Sequence, residues 1–430
     1  MGTKDEGNNE RELLIHKRQQ ERYLNKSRQI SAKYLNKLDE LPGIPTNLSY
    51  FKSILYKIFV ENEIVSYKEN EIYVGIFCVL MPMELIYACG ARPVKLCSGD
   101  YVGFQFGDDV VPRDACPLVK AVVGNNYIGN NNTYNACSMY IVPVTCDCKK
   151  KMAAIISEYK ETYILHVPIN KKNDETMDLY VKSLHEIVHT IEQKTGEKIT
   201  YKKLKKSVQM YRETQREIRR FIELKRSLKP LIRGSHAMAV INSIAYDDIA
   251  RYTKQLAILN KELETRRDNG DYLTNKKLPR ILVTGSPITF PNLKIPLLIE
   301  EMGGLVVADE TCIGDRGFTD PVSVAEESLE GYFRAIANRY VSACSCPVFS
   351  DNEQRIHKIK QMIIDQKVEG IIYHVLRGCL VYDYEYQILE QVFGAMEIPI
   401  IRLESDYNEE DIEQLRIRIE AFIEMIKFKK

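Results

Sequence analysis

The strongest constraint on this chain is an alternation. Short β-branched apolar runs, each too brief for a buried helix, are separated by stretches with helical spacing. Ile72 to Phe77, Pro93 to Leu96, Tyr140 to Val144 and Tyr163 to Val167 form one series; Arg280 to Thr284, Gly304 to Ala308, Gly370 to Val375 and Ile398 to Leu403 form a second. Runs of this kind bury both faces of a strand, and strands joined through helices run parallel. The expected fold class is therefore α/β, with two parallel-sheet units.

The two series are interrupted. From Asn170 to Leu278 no strand candidate occurs, and DETMDLYVKSLHEIVHTIEQKTG, YKKLKKSVQMYRETQREIRRFIEL and YDDIARYTKQLAILNKELETRR all carry helical spacing. Ahead of the first series, Asn9 to Asp39 is charged and rich in helix formers, and the Leu41-Pro42-Gly43-Ile44-Pro45 segment breaks it. The expected organisation is an N-terminal helical extension over 1–45, a first α/β domain over 46–170, a helical, lid-like segment over 171–278 and a second α/β domain over 279–430. The last helix shows an apolar stripe of Ile412, Leu415, Ile419, Phe422, Ile423 and Ile426, with Asn408 as its expected cap.

With 430 residues, 45% hydrophobic and 28% charged, the chain exceeds one hydrophobic core and has an ordinary globular composition. Sixty basic against 59 acidic residues, a formal charge of +1, exclude a general electrostatic pull toward nucleic acid or acidic lipid. The opening MGTKDEGNNERELL has no apolar segment or small-residue cleavage site, so a cytoplasmic location is expected.

Eleven cysteines need an explanation in that compartment, where disulfides rarely persist. Cys146 follows one expected strand and precedes a helical segment, and Cys379 follows another. In open parallel sheets ligands bind beyond the carboxyl ends of strands, so both thiols sit where such a fold carries its chemistry. Cys116 precedes Pro117, a favoured first helical residue, which puts its sulfur at a helix N-terminus where amides and dipole favour thiolate. Cluster or metal ligation stands here against inert burial, a common state of free cysteine. The close pairs, Cys146/Cys148 and Cys344/Cys346, have one residue between them, which is unlike structural zinc spacing. Iron–sulfur cubanes accept more dispersed cysteines.

His185-Glu186-Ile187-Val188-His189 matches the H-E-x-x-H pattern of zinc peptidases on a helical segment, with Glu186 as general base and Glu213 or Glu217 as a third ligand. The plainer alternative is a polar helix that happens to carry two histidines. Ser286 follows a strand but lacks the glycine two residues on that a nucleophile elbow needs, and no G-x-G-x-x-G or Walker pattern is present. ATP-driven chemistry would therefore need a separate ATPase.

Taken in order, several fragments carry a resemblance: Cys78-Val79-Leu80-Met81-Pro82-Met83-Glu84-Leu85 with Ala88-Cys89-Gly90-Ala91; Cys116-Pro117-Leu118-Val119-Lys120; and Thr145-Cys146-Asp147-Cys148-Lys149-Lys150-Lys151-Met152. The second half adds Ile281-Leu282-Val283-Thr284-Gly285-Ser286-Pro287, Glu310-Thr311-Cys312-Ile313-Gly314, Ala343-Cys344-Ser345-Cys346 and Gly370-Ile371-Ile372 leading to Gly378-Cys379. From Ile72 to Met425 the chain resembles the 2-hydroxyacyl-CoA dehydratase / benzoyl-CoA reductase superfamily, and within it most the double-cubane cluster proteins.

The resemblance implies two flavodoxin-like (Rossmann-like) domains with a cluster between them, and electrons delivered by a separate ATP-hydrolysing iron–sulfur activator. It implies that Cys116, Cys146 and Cys379 hold one cubane. Cys312, Cys344 and Cys346 match the branch that holds a double-cubane [8Fe-9S] cluster in a homodimer. Relatives carry a cysteine where this chain has Gly129 to Asn132, so the sixth ligand stays open among Cys344, Cys137 and Cys148. Cys78, Cys89 and Cys97 are expected outside the ligand set. Glu84 matches a carboxyl position of the family and is the expected proton-transfer residue, against a packing role. The expected activity is low-potential reduction of a small molecule. Its runner-up is one subunit of a [4Fe-4S] 2-hydroxyacyl-CoA dehydratase, a regulatory cluster protein is a third class, and the peptidase is remote. Lys149, Lys150 and Lys151 either balance cluster charge and dock the activator or form a solvated helical turn.

Overall fold

The computed structural model describes residues 3–428 apart from positions 172, 275 and 319, with side chains described from residue 14 onward. Two four-stranded, wholly parallel sheets form its frame. The first is built from β1 (Tyr73–Ile76), β2 (Arg92–Lys95), β3 (Cys137–Val144) and β4 (Thr162–His166), in the order β2-β1-β3-β4. The second is built from β5 (Arg280–Gly285), β6 (Leu305–Glu310), β7 (Gly370–Leu376) and β8 (Ile400–Ser405), in the order β6-β5-β7-β8. All eight expected strands are present, and the α/β fold class holds.

The burial pattern explains why these runs are legible. Every residue of β1, β5, β6 and β7 is buried, as helices on both faces of a parallel sheet require. The edge strands β4 and β8 are only partly covered, and their sequences are correspondingly mixed. In each sheet the chain leaves the first-formed strand in both directions, so a switch point lies between β1 and β3 in one sheet and between β5 and β7 in the other.

The region ahead of the first sheet contains one long helix, Thr3–Glu40, then Leu48–Tyr56. Tyr23, Ile30, Tyr34, Leu35 and Leu38 of the long helix pack in one core with Val283 and Ile372 of the second sheet and with Phe422 and Ile423 of the last helix. The segment between the sheets is helical throughout its described elements: Asp174–Thr195, Tyr201–Lys225, Gly234–Ser243 and Ile249–Asn269. It is part of the core and does not stand off as a lid. All ten residues of Gly234–Ser243 are buried, and Glu300 accepts hydrogen bonds from the Gly234 amide at 2.7 Å and from Ser235.

One cap differs from expectation. The last helix runs Ile412–Phe428, and Asn408 lies ahead of it, its Oδ1 accepting from the Glu410 amide in a separate turn. The Leu415 amide instead donates to the carbonyl oxygen of Asp411.

Candidate functional site: a thiol-lined cavity

Loops at the carboxyl ends of β1, β2, β3, β5, β6 and β7 converge on one cavity of about 330 Å³. Its wall carries eight cysteines: Cys78, Cys97, Cys116, Cys146, Cys148, Cys312, Cys346 and Cys379. A small chamber of about 20 Å³ adjoins it, sharing Val79, Cys312 and Cys346 and adding Cys344. Only Cys89 and Cys137, both buried, lie outside this system.

Three of the thiols occupy equivalent local positions. Cys116, Cys146 and Cys379 are each the residue before the first turn of a helix, Pro117–Ile128, Asp147–Ile156 and Leu380–Gly394 respectively. Each helix therefore points its free amides and positive dipole end toward the cavity. Pro117 sets the start of the first helix, as its fixed φ favours.

Gly378 brings Cys379 within reach of Cys116. It has φ +71°, and a Cβ built there would collide with the Asp114 carbonyl oxygen, so the loop after β7 rides directly on the segment leading to Cys116. The neighbouring Cys116 thiol lowers Cys379 to about 7, and Cys379 together with burial raises Cys116. Burial pushes the Cys97 thiol to about 11 and Cys346 to about 12. Cys97 Sγ also donates to the Phe77 carbonyl at 2.9 Å.

Ser286, buried after β5, accepts from the Leu376 amide at 3.0 Å and so staples the ends of β5 and β7 beneath this site. Lys149 reaches into the cavity, where its Nζ donates to the Phe77 carbonyl at 3.1 Å. Burial opposes its charge, but the thiols of Cys78, Cys97, Cys146 and Cys312 outweigh that and raise its pKa. Lys150 and Lys151 line neither space.

All six cysteines singled out in the sequence thus meet at one place, five on the cavity and Cys344 on the chamber. Cys148 also lines the cavity. Cys137 does not: it opens β3 at the end opposite Cys146, donates to the Thr133 carbonyl at 3.2 Å, and is raised to about 12 by burial. Cys78 and Cys97, expected outside the ligand set, line the same cavity. Each follows a strand of the first sheet by two residues, just as Cys146 follows β3, and that shared offset is a signal the sequence carries.

Glu84 lines neither space. It is wholly buried in the helix Met83–Ala88, and its Oε2 accepts from Tyr340 Oη at 2.6 Å. Tyr340 lines the small chamber, so Glu84 meets the site only through that hydroxyl. The H-E-x-x-H histidines diverge. His185 Nε2 lies 3.0 Å from Glu330 with its ring stacked on Phe333, whereas His189 Nε2 meets Gln193 at 3.1 Å. Glu217 is engaged by Arg220 at 3.0 Å and by Asn260.

Among the described residues no group of three or more His, Cys, Asp or Glu side chains is close enough to hold a single metal ion. Soft thiolate donors around a roomy, largely apolar cavity, with helix N-termini and a lysine facing inward, match the donor chemistry of a polynuclear iron–sulfur group.

Residues 78–426 match the family model described as 2-hydroxyglutaryl-CoA dehydratase, D-component. The chain is 30% identical over 358 residues to a provisionally assigned dehydratase subunit, YjiM, of Escherichia coli (strain K12), covering 82% of this chain and 91% of that one. It is 24% identical to the (R)-phenyllactyl-CoA dehydratase beta subunit of Clostridium sporogenes, with the same shares covered. To a benzoyl-CoA reductase subunit of Thauera aromatica it is 22% identical, covering 81% of this chain and 89% of that one. Among the described residues no helix is long and apolar enough to cross a membrane.

Proposed function

Because the chain belongs to the 2-hydroxyglutaryl-CoA dehydratase D-component family, we propose that it is an iron–sulfur oxidoreductase. On this reading it holds a double-cubane [8Fe-9S] cluster and performs ATP-dependent, low-potential reduction of a small molecule. The observation that carries the reading is the thiol ring. Cys116, Cys146 and Cys379 would hold one cubane from three helix N-termini. Cys312, Cys346 and Cys344, which share the small chamber, would hold the other.

Bound there, such a cluster supplies single electrons at low potential. The chain's own residues do the rest. The helix N-termini and Lys149 stabilise negative charge on the sulfurs, and Leu118, Val119, Ile313 and Leu376 make an apolar wall that keeps water out. Tyr340 holds a proton at Oη beside the chamber, and Glu84 orients that hydroxyl, which makes Glu84 a positioning residue. The proposed partners are a second copy of this chain and a separate ATP-hydrolysing iron–sulfur protein that delivers electrons.

A second reading draws on the relatives named as dehydratase subunits. In it the chain is one subunit of a dehydratase with a single [4Fe-4S] cluster on Cys116, Cys146 and Cys379. Iron and acid-labile sulfide counts on anaerobically purified protein separate the two. About eight irons per chain support the double cubane, about four the dehydratase subunit. Activity that appears only with a co-purified homologous subunit and an acyl-CoA would also favour the second.

A further inference from the structure

One wall of the small chamber has a feature that cysteine ligation alone does not use. Arg316 is buried, its side chain 2% exposed, and it lines the chamber with Cys312, Cys344 and Cys346. Its Nη2 donates to Tyr382 Oη at 2.8 Å and its Nη1 lies 3.4 Å from Glu310 Oε1. Its Nε–H is buried with no partner. The neighbouring Arg339 is different, since it donates to the backbone carbonyls of Asp320 at 3.0 Å and Gly317 at 2.7 Å. Asp320, the carboxylate on the chamber wall, pairs with Lys358 at 2.8 Å.

The charges behind Arg316 leave it only partly compensated. Glu310 makes its closer contacts elsewhere, accepting from Arg355 Nη2 at 2.8 Å and Thr284 Oγ1 at 2.6 Å, and Arg355 also meets Glu385. The helical turn that carries Arg316, Asp315–Phe318, is pinned by an ion pair between Asp315 and Lys225 at 2.8 Å. A buried guanidinium with a spare donor is costly unless negative charge faces it, and the three thiols are what it faces.

We propose that Arg316 is a positioning and charge-compensating residue for the group held by Cys312, Cys344 and Cys346, with the Arg355–Glu310 pair and Tyr382 fixing its guanidinium against the sulfurs. The proposal rests on the cluster reading above. A fixed positive charge on the wall shared with these sulfurs favours the more reduced, more negative state of whatever they hold, so it raises the midpoint potential.

The test is anaerobic potentiometry with iron counts on intact protein carrying Arg316→Met, Arg316→Lys or Tyr382→Phe, each checked for folding by thermal melting. Arg316→Met should shift the midpoint potential downward and weaken retention of the iron that depends on Cys346. Arg316→Lys should recover most of the shift, because it restores the charge without the fork geometry. Tyr382→Phe keeps every charge and should shift the potential less, in the same direction, which keeps the proposal testable if Arg316→Met fails to fold. A potential equal in Arg316→Met and wild type, one as low in Arg316→Lys as in Arg316→Met, or, where Arg316→Met does not fold, one unchanged in Tyr382→Phe, would overturn the role of Arg316 and leave the cluster reading intact. Wild-type iron that is indifferent to Cys346→Ala would overturn both.

Discussion

Single side chains around the cavity have separable fates. Cys116→Ala, Cys146→Ala or Cys379→Ala should each strip one cubane and its low-temperature paramagnetic signal, and Cys346→Ala should lose about half the iron while keeping the fold. Cys137→Ala should leave the iron count unchanged, since its thiol is spent on the Thr133 carbonyl; any loss there would return Cys137 to the ligand set. Cys148→Ala and Cys344→Ala, read side by side, decide which supplies the sixth thiolate, and Cys344 is expected to be the sensitive one. Buried histidines make a prediction independent of iron. His236 is wholly buried, its Nε2 2.9 Å from the Leu38 carbonyl and its Nδ1 unpartnered, and burial lowers it from 6.5 to about 4. The unfolded chain takes up a proton below pH 6.5 that the folded core refuses. Stability is therefore lost as pH falls from about 6.5 to about 4, by up to about 3 kcal/mol, and levels off below that. Urea melts at about pH 7.5 and about pH 5 should show the loss, and His236→Gln should flatten it. His374, also lowered to about 4 by burial, supplies the residual slope.

Element ends, more than element interiors, build the site. Three helices begin on ligand candidates, and what aims the third is the left-handed Gly378 ahead of it. Gly378→Ala should cost about 1–2 kcal/mol from the unfavourable φ alone and more from the collision with Asp114. The displaced Cys379 should lower iron retention in proportion. A variant that melts lower yet keeps all its iron would show that the loop relaxes without moving the thiol. The strands themselves are legible because period and β-branching are local properties, and all eight appear within a few residues of their expected positions. The cap of the last helix is not, because capping depends on where the chain actually turns. Here a tight turn at Asn408 precedes the helix.

At the level of the whole protein, the electron source should lie outside it. ATP should support reduction only when a cluster-bearing ATPase is added; reduction by the purified chain with ATP alone would remove that partner from the reading. The chain should also sediment as a homodimer without a homologous second subunit. Short-range pattern was enough to specify two parallel sheets, the helical segment between them, the lack of a nucleotide motif, and Cys116, Cys146 and Cys379 at element ends. Which thiols share a space was settled only by packing. Cys78 and Cys379 lie on one cavity although some three hundred residues separate them, whereas Cys137, nearer in sequence to Cys146, faces away at the far end of the same strand. The physical reason is that spacing along a chain fixes the direction of a side chain only within its own element. The loops of six strands come together where the two sheets face a common cavity, and no local pattern records the distance between them.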